Sequence, residues 1–232
     1  LVVMLFTPRI SFSEERPPPN GNTAKKFRIG YIEGGPYWDQ KETLEAIKTS
    51  LQKLGWLEKV EFPEDAHYSP GWDRIPELHE NAKDLLSRKD ISLILSGGTS
   101  ATHALLKINN HRTPIVAMAV SDPIKSGFVR DVTDSGSENF TVRLVPRRYL
   151  QMFETFHEVV QFNKLGIVYA NTKDGRIYSS VDEAHEVAKK AGYQVLEHQI
   201  STSEDLDECR EGIRSLVERG IDAFFIGAPL NM

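Results

Sequence analysis

Residues 91–105 read Ile91-Ser92-Leu93-Ile94-Leu95-Ser96-Gly97-Gly98-Thr99-Ser100-Ala101-Thr102-His103-Ala104-Leu105. The opening run, Ile91–Leu95, is nearly continuous in apolar residues, as in a strand covered on both faces. Two glycines and two hydroxyls then lead into a helix carried by Ala104, Leu105 and Ile108. A strand passing through such a turn into a helix is the repeating unit of a parallel α/β fold.

The same alternation extends outward in both directions. Upstream, Phe27–Ile32 reads as a strand. Asp39, with Glu42 in capping-box spacing, opens a helix through Leu44, Ile47, Leu51 and Leu54, and Gly55 stops it. Lys59–Phe62 is a weaker strand. Asp73 caps a helix with Ile75, Leu78, Ala82, Leu85 and Leu86 on one face. Downstream, Pro114–Val120 is another buried strand. Ser121–Thr141, with Gly127, Gly136 and several Asp and Ser residues, has little periodicity and marks an internal boundary. The alternation then resumes with a helix around Tyr149–Val160, a strand Leu165–Tyr169, a helix Val181–Ala191 stopped by Gly192, and a strand Gln194–Gln199. Ser203 caps a helix with Leu206, Cys209, Ile213 and Leu216, and the strand Ile221–Ile226 follows. The expected fold is α/β, with two Rossmann-like lobes of parallel sheet flanked by helices. The expected divisions are a leader and linker at 1–25, a first lobe at 26–120, a hinge region at 121–141 and a second lobe at 142–232.

Composition is that of an ordinary globular protein. The chain has 232 residues, 40% hydrophobic and 26% charged, and a net charge of −5, which disfavours a nucleic-acid partner. One cysteine, Cys209, cannot form an internal disulfide or a zinc knuckle. Its place on an apolar stripe reads as a buried structural thiol. Leu1-Val2-Val3-Met4-Leu5-Phe6, followed by Ser11-Phe12-Ser13, reads either as the end of a secretory signal or as a frayed tail that happens to be apolar, and Pro17-Pro18-Pro19-Asn20-Gly21-Asn22 reads as an exposed linker.

Catalytic signatures are missing from the sequence. It contains no P-loop, no G-x-G-x-x-G after the first strand and no G-x-S-x-G elbow. His157-Glu158 and His185-Glu186 lack the second histidine of a zinc helix. No catalytic residue, metal or cofactor is therefore expected. In open parallel sheets ligands bind at the carboxyl ends of strands, so the loops there are the candidate site. Gly34 and Gly35 shape a loop presenting Tyr37 and Trp38, which can either stack on a flat ligand or cover their own lobe. Gly98, Thr99 and Ser100 open a helix whose N–H groups favour an anion such as a carboxylate; Thr99 also suits an ordinary N-cap. Ser121 and Asp122 follow the next strand, and Asp122 can accept from a ligand ammonium or cap its own turn. From the second lobe, Asn171 follows Tyr169 in a polar stretch that runs through Arg176.

These segments carry a family resemblance. Arg28-Ile29-Gly30-Tyr31, Ser96–Ala101, Val116–Val129 with Ser121-Asp122-Pro123 and Gly127, and Leu165–Tyr169 occur in order. Together with Asn139-Phe140-Thr141-Val142, they are similar to the periplasmic substrate-binding proteins of ABC importers, in the branch that is of tryptophan/tyrosine type or uncharacterised. The opening Glu33-Gly34-Gly35-Pro36 and Gly175-Arg176-Ile177-Tyr178 resemble a more divergent branch with no assigned ligand. The resemblance implies a type I periplasmic-binding fold with a small solute trapped between the lobes. It implies first-lobe contacts from Thr99, Ser100 and Asp122, and second-lobe contacts from Asn171 and Asn231. It further implies a non-enzymatic, exported monomer, periplasmic or membrane-associated, that serves an ABC permease. The alternative is the same fold as the ligand-sensing ectodomain of a membrane histidine kinase or cyclase. The chain is expected to be incomplete at its C-terminal end.

Overall fold

The computed structural model describes residues 26–36, 38–71, 74–202 and 205–227. The leader and linker, Tyr37, Asp73, Ser203 and Asn231 lie outside them.

The first sheet is built around β1 (Phe27–Glu33) and β4 (Ile91–Gly97), which pair in parallel along their length. β2 (Val60–Glu61) and β3 (His67–Tyr68) add short parallel pairings to the other edge of β1. β5 (Ile115–Met118) and β6 (Phe140–Val142) extend the sheet past β4, giving the order β2-β1-β4-β5-β6. Side chains alternate faces along a strand. Ile29, Tyr31 and Leu95 therefore bury against Leu44 of α1 (Trp38–Lys53) on one face. Ile32 and Ile94 bury on the other face, against Leu78 and Leu85 of α2 (Ile75–Ser87) and Leu105 of α3 (Gly98–Lys107). A Cβ at Gly30 would stand 2.8 Å from Leu85 Cδ2, so glycine is what lets α2 sit this close to β1.

The second sheet has β7 (Lys164–Ala170) at its centre, flanked by β8 (Gln194–Ile200) and β9 (Ala223–Phe225), all parallel. Leu165 and Ile167 pack with Phe153 of α4 (Arg148–Val160) and with Val181 and Val187 of α6 (Val181–Ala191). On the opposite face, Val168 packs with Cys209 and Leu216 of α7 (Leu206–Glu218). Cys209 is buried, and that burial pushes its thiol pKa up. Asp222 accepts from the backbone N–H of Asn163 at 2.9 Å and of Lys164 at 2.7 Å, locking the start of β7 to β9.

Several local readings change. β5 stops at Met118 because Ala119 takes a left-handed φ of 53° and turns the chain. The last strand contracts to Ala223–Phe225. Helix α1 starts one residue before Asp39, which therefore lies in the first turn rather than at the cap position. Asp205 caps α7, accepting from the N–H groups of Asp207 and Glu208 at 3.0 Å each. The stretch read as a polar loop after Tyr169 contains α5 (Lys173–Tyr178), capped by Thr172 accepting from Gly175 N at 2.9 Å. The irregular 121–141 segment is held down by Phe128 and Val129, both in the core of the first sheet. Among the described residues no helix is long and apolar enough to cross a membrane.

Candidate ligand-binding cleft

The first wall is formed where β1, β4 and β5 end. Gly34 is buried after β1, and its carbonyl accepts from Gly71 N at 3.2 Å. Gly98 begins α3 at φ +81°, a conformation that favours glycine. A Cβ there would also stand 2.5 Å from Gln40 Nε2. The cap position of α3 belongs to Gly97, with no side-chain cap from the described residues. Thr99 is thus not the N-cap. Its hydroxyl is buried and accepts from Ser121 N at 3.3 Å, stitching the β4–α3 turn to the loop after β5. Asp122 takes the turn-capping role foreseen for it, with Oδ1 accepting from Ile124 N at 3.0 Å and Lys125 N at 2.9 Å. Tyr149, in the first turn of α4, also interacts with Ser121, and burial raises its hydroxyl pKa.

Beneath this wall lies a buried polar cluster that sequence reasoning did not single out. Tyr31 Oη donates to Glu33 Oε2 at 2.5 Å. Gln40 is only 3% exposed, and its Oε1 lacks a partner among the described residues. Glu33 is 7% exposed at the end of β1. An acidic residue closing an apolar strand was the available signal for it.

The second wall follows β7. Asn171 is exposed, and its N–H donates to Ile200 O at 2.8 Å. Helix α5 comes next, then Ser179 and Ser180. Ser180 has a left-handed φ of 48°, full burial and an Oγ with no partner among the described residues. Gly227, after β9, packs so tightly on this turn that a Cβ would fall 2.5 Å from Ser179 Oγ.

Contacts between side chains of the two walls bring them together. Ser100 Oγ lies 3.0 Å from Tyr178 Oη, joining the start of α3 to the end of α5. Burial pushes the Tyr178 hydroxyl up to about 12, while hydrogen bonding with Ser100 and Thr99 acts in the opposite direction. Lys125 Nζ lies 2.5 Å from Glu183 Oε1 and 3.8 Å from Asp182 Oδ2, both in the first turn of α6. Next to these bridges is a cavity of about 300 Å³, lined by the loop after β5, by residues 143–150 and by Glu183 and Glu186.

Of the sequence-derived candidates, Gly98, Thr99, Ser121 and Asp122 form one connected group, and Ser100 reaches the other wall through Tyr178. Gly34 lies beside that group at the end of β1. Asn171 stands on the second wall without a side-chain contact to the others among the described residues. Trp38 is the first residue of α1, and Tyr37 and Asn231 lie outside the described residues. Tyr178, Lys125 and Glu183 were missed. Tyr178 stands in the quoted Gly175-Arg176-Ile177-Tyr178 segment, but its partner Ser100 is 78 residues away in sequence.

Comparison with known proteins gives concordant findings. The model of the ABC transporter substrate binding protein family matches residues 42–229. A tyrosine-binding protein of Clostridioides difficile (strain R20291) is 26% identical over 218 residues, covering 92% of this chain and 59% of the relative. The chain thus spans well under two thirds of that relative's length. A Streptococcus pneumonia ABC domain solved in complex with L-Trp superposes with a TM-score of 0.71 at 19% identity, covering 86% of this chain and 64% of that one. A ligand-free, open substrate binding protein with adhesive properties from Clostridium difficile gives 0.56 at 24% identity, covering 85% and 64%. At such identities the two structures speak to the fold, which is that of type I periplasmic binding proteins.

Proposed function

Because the chain belongs to the ABC transporter substrate binding protein family, we propose that it captures a small organic solute between its two sheets and delivers it to an ABC permease. The solute is an amino-acid-like zwitterion or a carboxylate. The division into a first lobe, a hinge around 121–141 and a second lobe is part of this proposal, as are action outside the cytoplasm as a monomer and the lack of an enzymatic step.

The observation that carries the reading is the Ser100–Tyr178 contact, since a solute enclosed by closure must be touched from both sides to favour the closed state. On the first wall, the first-turn N–H groups of α3 and the hydroxyls of Thr99 and Ser100 supply donors suited to a carboxylate. Asp122 retains Oδ2 as an acceptor for an ammonium after its Oδ1 has capped the turn. Asn171 supplies polar atoms from the second wall, together with Asn231 from the family resemblance. Gly34, Tyr37 and Trp38 belong to the rim in this reading.

The test is a thermal-shift screen of amino acids, purines and small carboxylates, followed by titration calorimetry. A solute present at about 100 times its Kd adds about 2.7 kcal/mol to the stability. Thr99→Ala and Asp122→Ala are each expected to weaken binding while the protein stays folded. Unchanged affinity in both variants overturns the site.

A further inference from the structure

Helix α5 cannot hold its own place. It is six residues long, and an isolated helix of that length is unstable in water. A surface helix is usually fixed by an apolar stripe, but the only residue that α5 buries is Gly175. That glycine lets α5 sit flush on the end of β7, because a Cβ there would fall 2.3 Å from Ala170 O.

The orientation of α5 is set by Arg176, whose guanidinium is bonded on two sides. Nε and Nη2 reach Asp182 Oδ1 at 2.9 Å and 2.8 Å, fastening α5 to the first turn of α6. Nη1 reaches Tyr169 Oη at 3.0 Å and Glu197 Oε2 at 3.2 Å, fastening it to β7 and β8. Those acceptors are held in turn. Tyr169 Oη donates to Glu197 Oε2 at 2.5 Å, and His185 Nε2 lies 2.6 Å from Glu197 Oε1. A planar fork held this way is fixed in direction as well as position. Two residues on, Tyr178 ends the same helix and meets Ser100 across the cleft at 3.0 Å. Arg176 itself makes no hydrogen bond or ion pair to the first wall among the described residues.

We infer that Arg176 is a positioning residue that acts through Tyr178. Its fork holds α5 in the orientation that carries the Tyr178 hydroxyl to Ser100, and so sets the closed-to-open ratio of the cleft. The Gly175-Arg176-Ile177-Tyr178 segment is then one device: Gly175 seats the helix, Arg176 clamps it and Tyr178 makes the contact. This rests on the reading that the walls close on a solute, and adds the residue that determines how readily they close.

The test reads the distance between dyes on Lys83→Cys of α2 and Glu218→Cys of α7, both exposed, in the whole chain without solute. Arg176→Met is expected to lower the closed-to-open ratio by about 2- to 13-fold, as Tyr178→Phe does, the worth of one net hydrogen bond. In the Tyr178→Phe background, Arg176→Met is expected to change the ratio by less than about twofold. Both series are repeated with Lys125→Met, so that the freed Asp182 carboxylate has no lysine to attract across the cleft. Arg176→Lys keeps the charge and loses the fork. It is expected between wild type and Arg176→Met, with the same dependence on the Tyr178 hydroxyl, and it carries the test if Arg176→Met does not fold. A lowered melting temperature with an unmoved distance is what a purely structural role gives, and it overturns the inference. So does an Arg176→Met effect that persists in full in the Tyr178→Phe background. A solute found by the screen is expected to bind Arg176→Met more weakly by the factor that the ratio falls; unchanged affinity overturns the inference while leaving solute binding intact. Failure of every compound in the screen overturns the solute-binding reading, and the dye distance still decides the role of Arg176.

Discussion

Replacing Tyr178 by Phe keeps the ring and removes the one hydroxyl that meets Ser100 across the cleft, at 3.0 Å. A neutral intramolecular hydrogen bond contributes a net of about 0.5–1.5 kcal/mol. If it exists only when the walls meet, losing it shifts the closed-to-open ratio by about 2- to 13-fold. Ser100→Ala should shift the ratio the same way but by less, because Tyr178 also bonds with Thr99, and Ser100→Ala should add little in the Tyr178→Phe background. The coupling energy should therefore be about 0.5–1.5 kcal/mol, above the roughly 0.3–0.5 kcal/mol scatter of independent sites. Distance between fluorophores on the two sides reports the ratio. Cysteines introduced at exposed Lys83 on α2 and Glu218 on α7 take the dyes, because Cys209 is buried and its thiol pKa is raised. Fully additive effects, or a distance distribution that Tyr178→Phe leaves unchanged, would refute the contact as a closure bond.

Further outcomes follow from the same geometry. Lys125→Met, which breaks the pair with Glu183, should open the cleft further, and raised salt should mimic it in the same fluorescence assay. Gly98→Ala should cost about 2–4 kcal/mol in urea unfolding, of which about 1–2 kcal/mol is the left-handed backbone and the rest displacement of buried Gln40. Leu105→Ala and Leu165→Ala, at fully buried positions in separate cores, should each cost about 2–5 kcal/mol. Burial raises the Glu197 pKa, but hydrogen bonds from Tyr169 and His185 and the Arg176 charge outweigh it, so its carboxyl titrates below the ordinary 4.5. Its stabilisation is therefore complete above that value and lost as pH falls through the lowered folded value. Glu197→Gln should shrink the difference between urea midpoints at neutral and strongly acidic pH.

The sequence disclosed those parts of the fold that depend on local pattern. The apolar run at Ile91–Leu95 is a central strand, and Val181–Ala191 is a helix stopped at Gly192, whose N–H donates to Ala188 O at 2.8 Å. Elements too short to carry a period escaped. β3 and β6 exist through pairing with β1 and β5, and α5, with its Thr172 cap, is six residues long and opens with Lys173-Asp174-Gly175-Arg176, too short and polar to show an apolar stripe. At the site, residue types at strand ends pointed to Thr99, Ser100 and Asp122, but not to their partners. A threonine beside two glycines suggests a cap, whereas the fold gives that position to Gly97 and turns Thr99 toward Ser121. Tyr178 and Lys125 gain their meaning only when two distant segments meet, and no local spacing encodes that.

The most direct test of solute capture between the sheets is a crystal structure with the solute identified by the screen. Density is expected between the β4–α3 turn and the segment from Asn171 to Tyr178, in contact with Thr99 or Ser100 on one side and with the second wall on the other. Density confined to one wall, or bound away from both, would contradict it.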